Sequence, residues 1–353
     1  MHILVIGAGA IGSLVGGRLT AVDCHVTLLE RADWITTVHE NGLSITAANG
    51  QQKVVYPNIA KHIDEIADIS KFDMVLISVK SFDTQEAIYP LKDKLQSHTH
   101  FLSLQNGIGN EEILADNFPN NPVIAGSITL PVEVPQPGSI IISKEKGGIG
   151  LAPMSNIKDQ VFLNNLVSKL EESGFTVKTY NDYKSLKWSK LLMNIINNPI
   201  CAILDMPPNQ ILDNPALFDL ELESMRETVR VMRAQNIKVI SLPPYPLTLL
   251  AIGLTWAPNW LLRKILQPFF SGGRGNKLPS LQIDLQRKRN QSEVTVLNNR
   301  VAIVGTKVGI PTPVNHALSG ILDGIAKGNI NWSDYQGKPD VLLEQIDYIY
   351  RTS

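Results

Sequence analysis

The sequence predicts an α/β protein, with an N-terminal Rossmann-type dinucleotide-binding domain followed by an all-helical C-terminal domain. Three observations predict it. An apolar run at residues 2–6, HILVI, leads into Gly7-Ala8-Gly9-Ala10-Ile11-Gly12 and then into a helically spaced stretch. Strand-like and helix-like segments alternate from there to about residue 182. From Tyr183 onward the periodicity is helical almost throughout. At 353 residues the chain exceeds the roughly 250–300 at which single cores stop growing, so two domains are expected, 1–182 and 183–353.

The glycine run is the first candidate site. Gly7 permits the tight turn, Gly9 lets backbone approach a pyrophosphate, and Gly12 allows helix to pack closely on strand. Ala8, Ala10 and Ile11 complete the loop, whose free N–H groups at the helix start face phosphate. A tight strand–helix turn that holds no ligand is the alternative. The second strand, CHVTLLE, ends at Glu30, about 20 residues past the first glycines, where an acid bonds the ribose 2′-hydroxyl of NAD. Arg31 follows at once and suits the 2′-phosphate of NADP. These neighbours point in opposite directions.

The remaining elements follow in order. A helix is expected around 32–41, then a hairpin turning at Asn49-Gly50 between two alternating runs. DMVLISVK, Asp73 to Lys80, reads as a buried strand and 83–96 as helix. HFLSLQNGIG reads as a strand ending near Gln105. Three short β-like runs are expected over about 122–152, a helix at 156–173 and a strand at 175–179. In open α/β sheets ligands bind beyond the carboxyl ends of strands, which brings Lys80 and Asn106 toward the dinucleotide. Their bland roles are a surface lysine and a turn asparagine.

Composition narrows the function classes. Lys+Arg 32 against Asp+Glu 33 gives a net charge of −1, so no basic field for nucleic acid is evident. Cys24 and Cys201 are the only cysteines and sit in apolar stretches, which fits buried thiols in a reducing compartment. Histidine spacing gives no metal-ligand pattern, and His316 reads as structural. A strand beginning at residue 2 leaves no room for a signal peptide, so a cytoplasmic location is expected. The apolar stretch Leu247–Leu262 is shorter than the ~20 residues a bilayer span needs, and Pro258 interrupts it. It reads as a buried or subunit-contact helix pair, with an interfacial helix as the alternative and a homodimer admitted.

WSKLLMNIINNP, Trp188 to Pro199, places Lys190, Asn194 and Asn198 at i, i+4 and i+8, one column of a helix that is otherwise apolar. A helix apolar nearly all round is buried, so these groups are expected to line a cavity, where a desolvated amine suits acid–base work. The alternative is a snorkelling lysine and a helix that ends before Pro199. Lys187, one turn earlier, ranks below Lys190 because it lies farther from the amides. Ser280 stands near one helix start, and Ser292 and Glu293 near the next. Glu293 either satisfies first-turn N–H groups or orients a lysine or a cofactor ribose, and Ser280 is either an N-cap or a ligand contact.

Together these pieces resemble the ketopantoate reductase (2-dehydropantoate 2-reductase) family over nearly the whole chain. The resemblance rests on Gly7, Gly9 and Gly12; Lys80 in ISVKSFDT; Asn106 in QNGIGNEE; Lys190, Asn194 and Asn198; and SEVTVLNN leading to GIPTPVN. It implies NADPH-dependent reduction of a small 2-oxo acid, ketopantoate to pantoate, a step toward pantothenate and coenzyme A. It also implies that Lys190 is the general acid, that Asn106, Asn194 and Asn198 hold substrate, and that Ser280 contacts its carboxylate. Glu293 would orient the lysine or touch the nicotinamide ribose, and Lys80 and Asn106 would line the cofactor. Three departures stand out: Glu30 replaces a small residue and admits NAD(H), the Ser280-to-Glu293 interval is one residue longer, and about 240–277 forms an apolar insertion. A dehydrogenase for another 2-oxo or 3-hydroxy acid, and a dinucleotide-sensing protein without catalysis, are the alternatives.

Overall fold

A computed structural model describes residues 1–154, 160–274 and 278–352, with side chains described except for 268–274 and 350–352. The chain divides into two compact units. The first comprises Met1–Gln105, Gly109–Lys187 and Leu242–Tyr245; the second comprises Asn106–Ile108, Trp188–Ser241 and Pro246–Ser353.

In the first unit the strands are β1 (His2–Ile6), β2 (His25–Leu29), β3 (Leu43–Thr46), β4 (Gln52–Val55), β5 (Asn58–Ala60), β6 (Met74–Ile77), β7 (His100–Ser103), β8 (Val123–Ile128), β9 (Val132–Gln136), β10 (Ser139–Ile142), β11 (Ile149–Pro153) and β12 (Val177–Thr179). Eight form a sheet of order β12-β11-β8-β7-β6-β1-β2-β5, parallel except where β11 meets β8. From β1 the chain builds outward through β2 and β5, then returns to the other side of β1 and builds through β6, β7 and β8. The strand order reverses beside β1, which marks the crevice where doubly wound sheets take ligands.

Strand periodicity explains why these runs are apolar throughout. Along β1, Ile3 and Val5 enter one core cluster and Leu4 and Ile6 the other, because successive side chains point to opposite faces. A parallel sheet covered on both faces needs such runs. The Asn49-Gly50 hairpin forms as expected, β3 antiparallel to β4 with Gly50 at φ +84°. It belongs, however, to a separate sheet of order β4-β3-β10-β9. Over 122–152 four strands form where three runs were expected, and they divide between the two sheets. The expected 83–96 helix is a short helix, Thr84–Ile88, flanked by 3₁₀ turns, Pro90 standing in the second of these.

The second unit is helical. Its core gathers Leu191, Ile195, Leu204, Met225, Val301 and Leu318 among others. A polar network lies inside it. Asn298, from the SEVTVLNN run, donates to Asn315 Oδ1 at 2.9 Å, and Asn315 Nδ2 donates to Ser224 O at 2.9 Å and to Glu227 Oε2 at 2.6 Å. Glu227 also accepts from the N–H groups of Val314 and Asn315, both at 2.9 Å, at the start of the Pro313–Ala326 helix. Burial nonetheless pushes its carboxyl up from 4.5 to about 7 against those bonds.

Because the folded-state value lies above the unfolded one, the folded protein holds an extra proton between these limits. The stability contributed by neutral Glu227 is therefore full below pH 4.5 and lost as pH rises through about 7. Urea unfolding across that window is expected to show a decline of about 3 kcal/mol from this group. Glu227→Gln should flatten it, and an unchanged slope would assign the decline elsewhere.

Candidate active site

The glycine turn occupies the place that the sheet reserves for a ligand. Gly7 follows β1 at φ +91°, and a Cβ there would stand 2.7 Å from Val79 Cγ1 and 2.8 Å from Val79 N. At Gly12 a Cβ would come within 2.0 Å of Gly7 O and 2.4 Å of Ser78 Oγ, so only glycine lets the helix begin this close to the turn. Gly9 differs: a Cβ there would meet nothing within 4 Å. Gly9 is the N-cap of the Ala10–Thr20 helix and supplies no side-chain cap, which leaves first-turn N–H groups for a ligand's oxygens. Open space at Gly9 with crowding at Gly7 and Gly12 fits a pyrophosphate.

Glu30 turns back on this loop. Its carboxylate accepts from Ala8 N–H at 3.1 Å and from Ala32 N–H at 3.2 Å. Arg31 points elsewhere and pairs at 2.5 Å with Glu86, both side chains largely exposed. A cavity of about 550 Å³ opens here, lined by Gly7, Glu30, Arg31, Lys61, His62 and Val79 among others. Lys61 and His62 were missed from sequence; the signal was a basic pair directly after β5, the strand paired with β2. A second concavity, about 490 Å³, is lined by Arg18, Gln52, Lys53 and Glu172 among others, none of them candidate residues. Lys80 stands three residues past β6 as the N-cap of a 3₁₀ turn and is half-buried.

Two of the three lysines on the Tyr183–Ile195 helix, Lys187 and Lys190, have different surroundings. Lys187 is 4% exposed; its Nζ pairs with Glu111 at 2.9 Å and donates to Gln105 O at 2.6 Å. Glu111 is 1% exposed, so this is a fully desolvated ion pair that ties the helix to the residue just before Asn106. Lys190 is half-buried.

The column expected from Lys190 through Asn198 is broken. The helix ends at Ile195, Asn197 takes φ +52°, and Asn198 precedes a new helix, Pro199–Leu204. Pro199 accounts for the break, since it lacks an N–H and its ring clashes with the preceding turn. Asn198 is nevertheless held to the same group. Its Nδ2 donates to Asn194 O at 3.0 Å and its Oδ1 accepts from Leu281 N–H at 3.1 Å. Asn194 Nδ2 in turn donates to Asn106 Oδ1 at 3.0 Å.

Asn106 is fixed from its other side. Gly107, at φ +84°, lies so close to Val296 that a Cβ would stand 2.5 Å from its Cγ2, and Ile108 N–H donates to Val296 O at 3.1 Å. Val296 closes the 3₁₀ turn Glu293–Thr295 through a 3.1 Å bond to Glu293 O, and Ser292 caps that turn at Val294 N–H, 3.2 Å. Glu293 is buried there. Ser280 is not an N-cap: Pro279 holds that position, and Ser280 is the exposed first residue of the Ser280–Gln286 helix. Its neighbour Leu281 makes the bond to Asn198. The second unit thus links Asn106, Asn194, Asn198 and the starts of the 280 and 293 segments, with Lys190 one turn before Asn194. Among the described residues no group of His, Cys, Asp or Glu is placed to hold a metal ion.

A doubly wound sheet with an open glycine turn at its switch point, followed in the chain by a helical unit, is the architecture of a dinucleotide-dependent oxidoreductase. The family models for "Ketopantoate reductase PanE/ApbA" and its C-terminal domain match residues 3–156 and 182–326, and the chain belongs to that family. The 2-dehydropantoate 2-reductase of Pyrococcus horikoshii is 28% identical over 320 residues, 90% of this chain and 95% of that one. That of Aquifex aeolicus is 25% identical with the same coverage. Among solved structures, a 2-dehydropantoate 2-reductase from Geobacter metallireducens aligns with TM-score 0.76 and 25% identity, covering 92% of this chain and 99% of that one. A D-mandelate dehydrogenase solved with NADH and anilino(oxo)acetate shares the fold at TM-score 0.76 and 19% identity, covering 94% and 100%.

Proposed function

We propose that this protein reduces 2-dehydropantoate to pantoate with NADPH. The observation that carries the reading is the hydrogen-bonded series Asn106–Asn194–Asn198, a fixed set of asparagines with Lys190 one helical turn before Asn194. Gly7, Ala8, Gly9, Ala10, Ile11 and Gly12 would hold the dinucleotide's pyrophosphate, with Lys80, Asn106 and Glu293 toward its nicotinamide end. When bound, the nicotinamide supplies a hydride. Lys190 stabilises the negative charge that develops on the substrate's carbonyl oxygen and delivers a proton to it. Asn106, Asn194 and Asn198 orient the carboxylate and hydroxyl, and Ser280, at the exposed helix start, contacts the carboxylate. The bonds among the amides hold these donors in place before substrate arrives, which lowers the reorganisation required during reaction.

NADPH rather than NADH is supported by charge at the Glu30–Arg31 cavity. Arg31, Lys61 and His62 line it together with Asp64 and Asp83; Glu30 is engaged by two backbone N–H groups, and Arg31, paired with the exposed Glu86, is the cation beside it to meet a 2′-phosphate. Arg31→Ala is expected to raise the Kd of NADPH about 10-fold or more and leave that of NADH nearly unchanged, as read by fluorescence titration. An equal effect on both would make Glu30 the reader of the ribose. The substrate is tested by following NADPH consumption with a panel of 2-oxo acids, in which ketopantoate is expected to give the highest kcat/KM. A bulky aromatic acid ahead of it would move the assignment toward the chemistry of the D-mandelate dehydrogenase neighbour.

A further inference from the structure

Residues Leu247–Trp256 and Asn259–Arg274 form two helices joined by a short turn at Ala257-Pro258. The first helix is apolar on both sides. Leu247, Ala251 and Leu254 are buried in the unit's core, while Leu249, Ile252 and Trp256, spaced three and four residues apart, form an outer stripe exposed at 68%, 54% and 83%. Trp260 and Ile265 of the second helix are exposed at 65% and 58%. Two tryptophans therefore flank the turn in water. Soluble proteins seldom leave so much contiguous apolar surface open without a partner.

This tip is held rigidly. The Arg226 guanidinium donates to Leu254 O at 2.9 Å, to Ala257 O at 3.1 Å and to Asn259 Oδ1 at 2.6 Å, closing the turn from beneath. Arg233 adds a 2.7 Å bond to Thr255 Oγ1, and Arg263 pairs with Asp219 at 3.3 Å. The tryptophans are thus displayed by a fixed scaffold.

Charge selects what covers them. Leu247–Trp256 and Asn259–Gln267 contain no Asp or Glu, and of their two cations Arg263 is paired with Asp219. Lys264 is exposed on the second helix, beside Ile265. A two-fold contact between copies would bring Lys264 of each to one interface, with no acid on the helix pair itself to meet it. An anionic bilayer complements it: tryptophan rings favour the headgroup level, aliphatic side chains enter the acyl boundary, and cations meet the phosphates. We propose that this helix pair docks the protein on the surface of anionic phospholipid bilayers. No helix among the described residues is long and apolar enough to cross a membrane, so the contact is peripheral.

The test is co-sedimentation of the full chain with vesicles of phosphatidylcholine alone or mixed with phosphatidylglycerol. Binding to the mixed vesicles is expected, falling as salt is added, with a blue shift of tryptophan emission. Trp256→Ser/Trp260→Ser should weaken it about 10-fold or more while the melting temperature stays near wild type. No sedimentation with mixed vesicles, or binding untouched by the double substitution, would overturn the proposal. So would light scattering that shows a wild-type dimer converted to a monomer by the same substitutions, which would give the face to a second copy.

Discussion

Lys190→Ala is expected to lower kcat for 2-oxo acid reduction at least ~100-fold while dinucleotide affinity stays near wild type. Hydride addition to a carbonyl leaves charge on oxygen, and a positioned ammonium both stabilises that charge and removes it by protonation. Lys190 stands one helical turn before Asn194, which is bonded to Asn106 at 3.0 Å, and in the proposed function its amine acts beside the amides that hold the substrate. Lys190→Arg separates charge from proton transfer. Guanidinium keeps the charge and resists deprotonation, so it should restore only a small part of the rate. Single-turnover kinetics with titrated NADPH binding checks both substitutions. Near-wild-type turnover of Lys190→Ala would remove Lys190 from the chemistry.

Lys187→Ala should instead act on stability, lowering the unfolding free energy by about 3–5 kcal/mol. It would strand Glu111, 1% exposed, as a buried charge without its 2.9 Å partner, and would leave Gln105 O without its donor. The double substitution Lys187→Met/Glu111→Leu removes both charges and should recover most of the loss, because the destabilisation arises from the uncompensated partner. Urea unfolding of the two variants measures this. A stable Lys187→Ala whose turnover falls as far as that of Lys190→Ala would exchange the roles of the two lysines.

The contrast between these lysines shows where sequence reasoning stops. Spacing places both on one helix, and nothing local reveals that Glu111, 76 residues earlier, neutralises one of them. The glycine turn was far more legible. Gly7, Gly9 and Gly12 have roles set by backbone geometry, which a local pattern encodes, and each occupies a distinct steric environment at β1. Strand membership was legible for β1, β2, β6 and β7 because both-face burial demands continuous apolar runs. The partition of β3, β4, β9 and β10 into a second sheet was not, since it depends on pairings such as β3 with β10, made nearly a hundred residues apart. Asn198 illustrates a mixed case. Helical spacing put it in the right company, but Pro199 ends that helix, and tertiary bonds to Asn194 O and Leu281 N–H supply what periodicity appeared to. Lys61 and His62 carried a signal too weak to isolate, two basic residues after a three-residue strand.

A Lys190 and asparagine group that reduces a 2-oxo acid at the expense of a nicotinamide dinucleotide must release the hydroxy acid as product. Product analysis after incubating purified protein with NADPH and 2-dehydropantoate measures this. Pantoate formed in one-to-one proportion with NADPH consumed, and lost in Lys190→Ala, is the predicted result. Tight NADPH binding with no consumption for any 2-oxo acid would contradict it and leave a dinucleotide-sensing protein in its place.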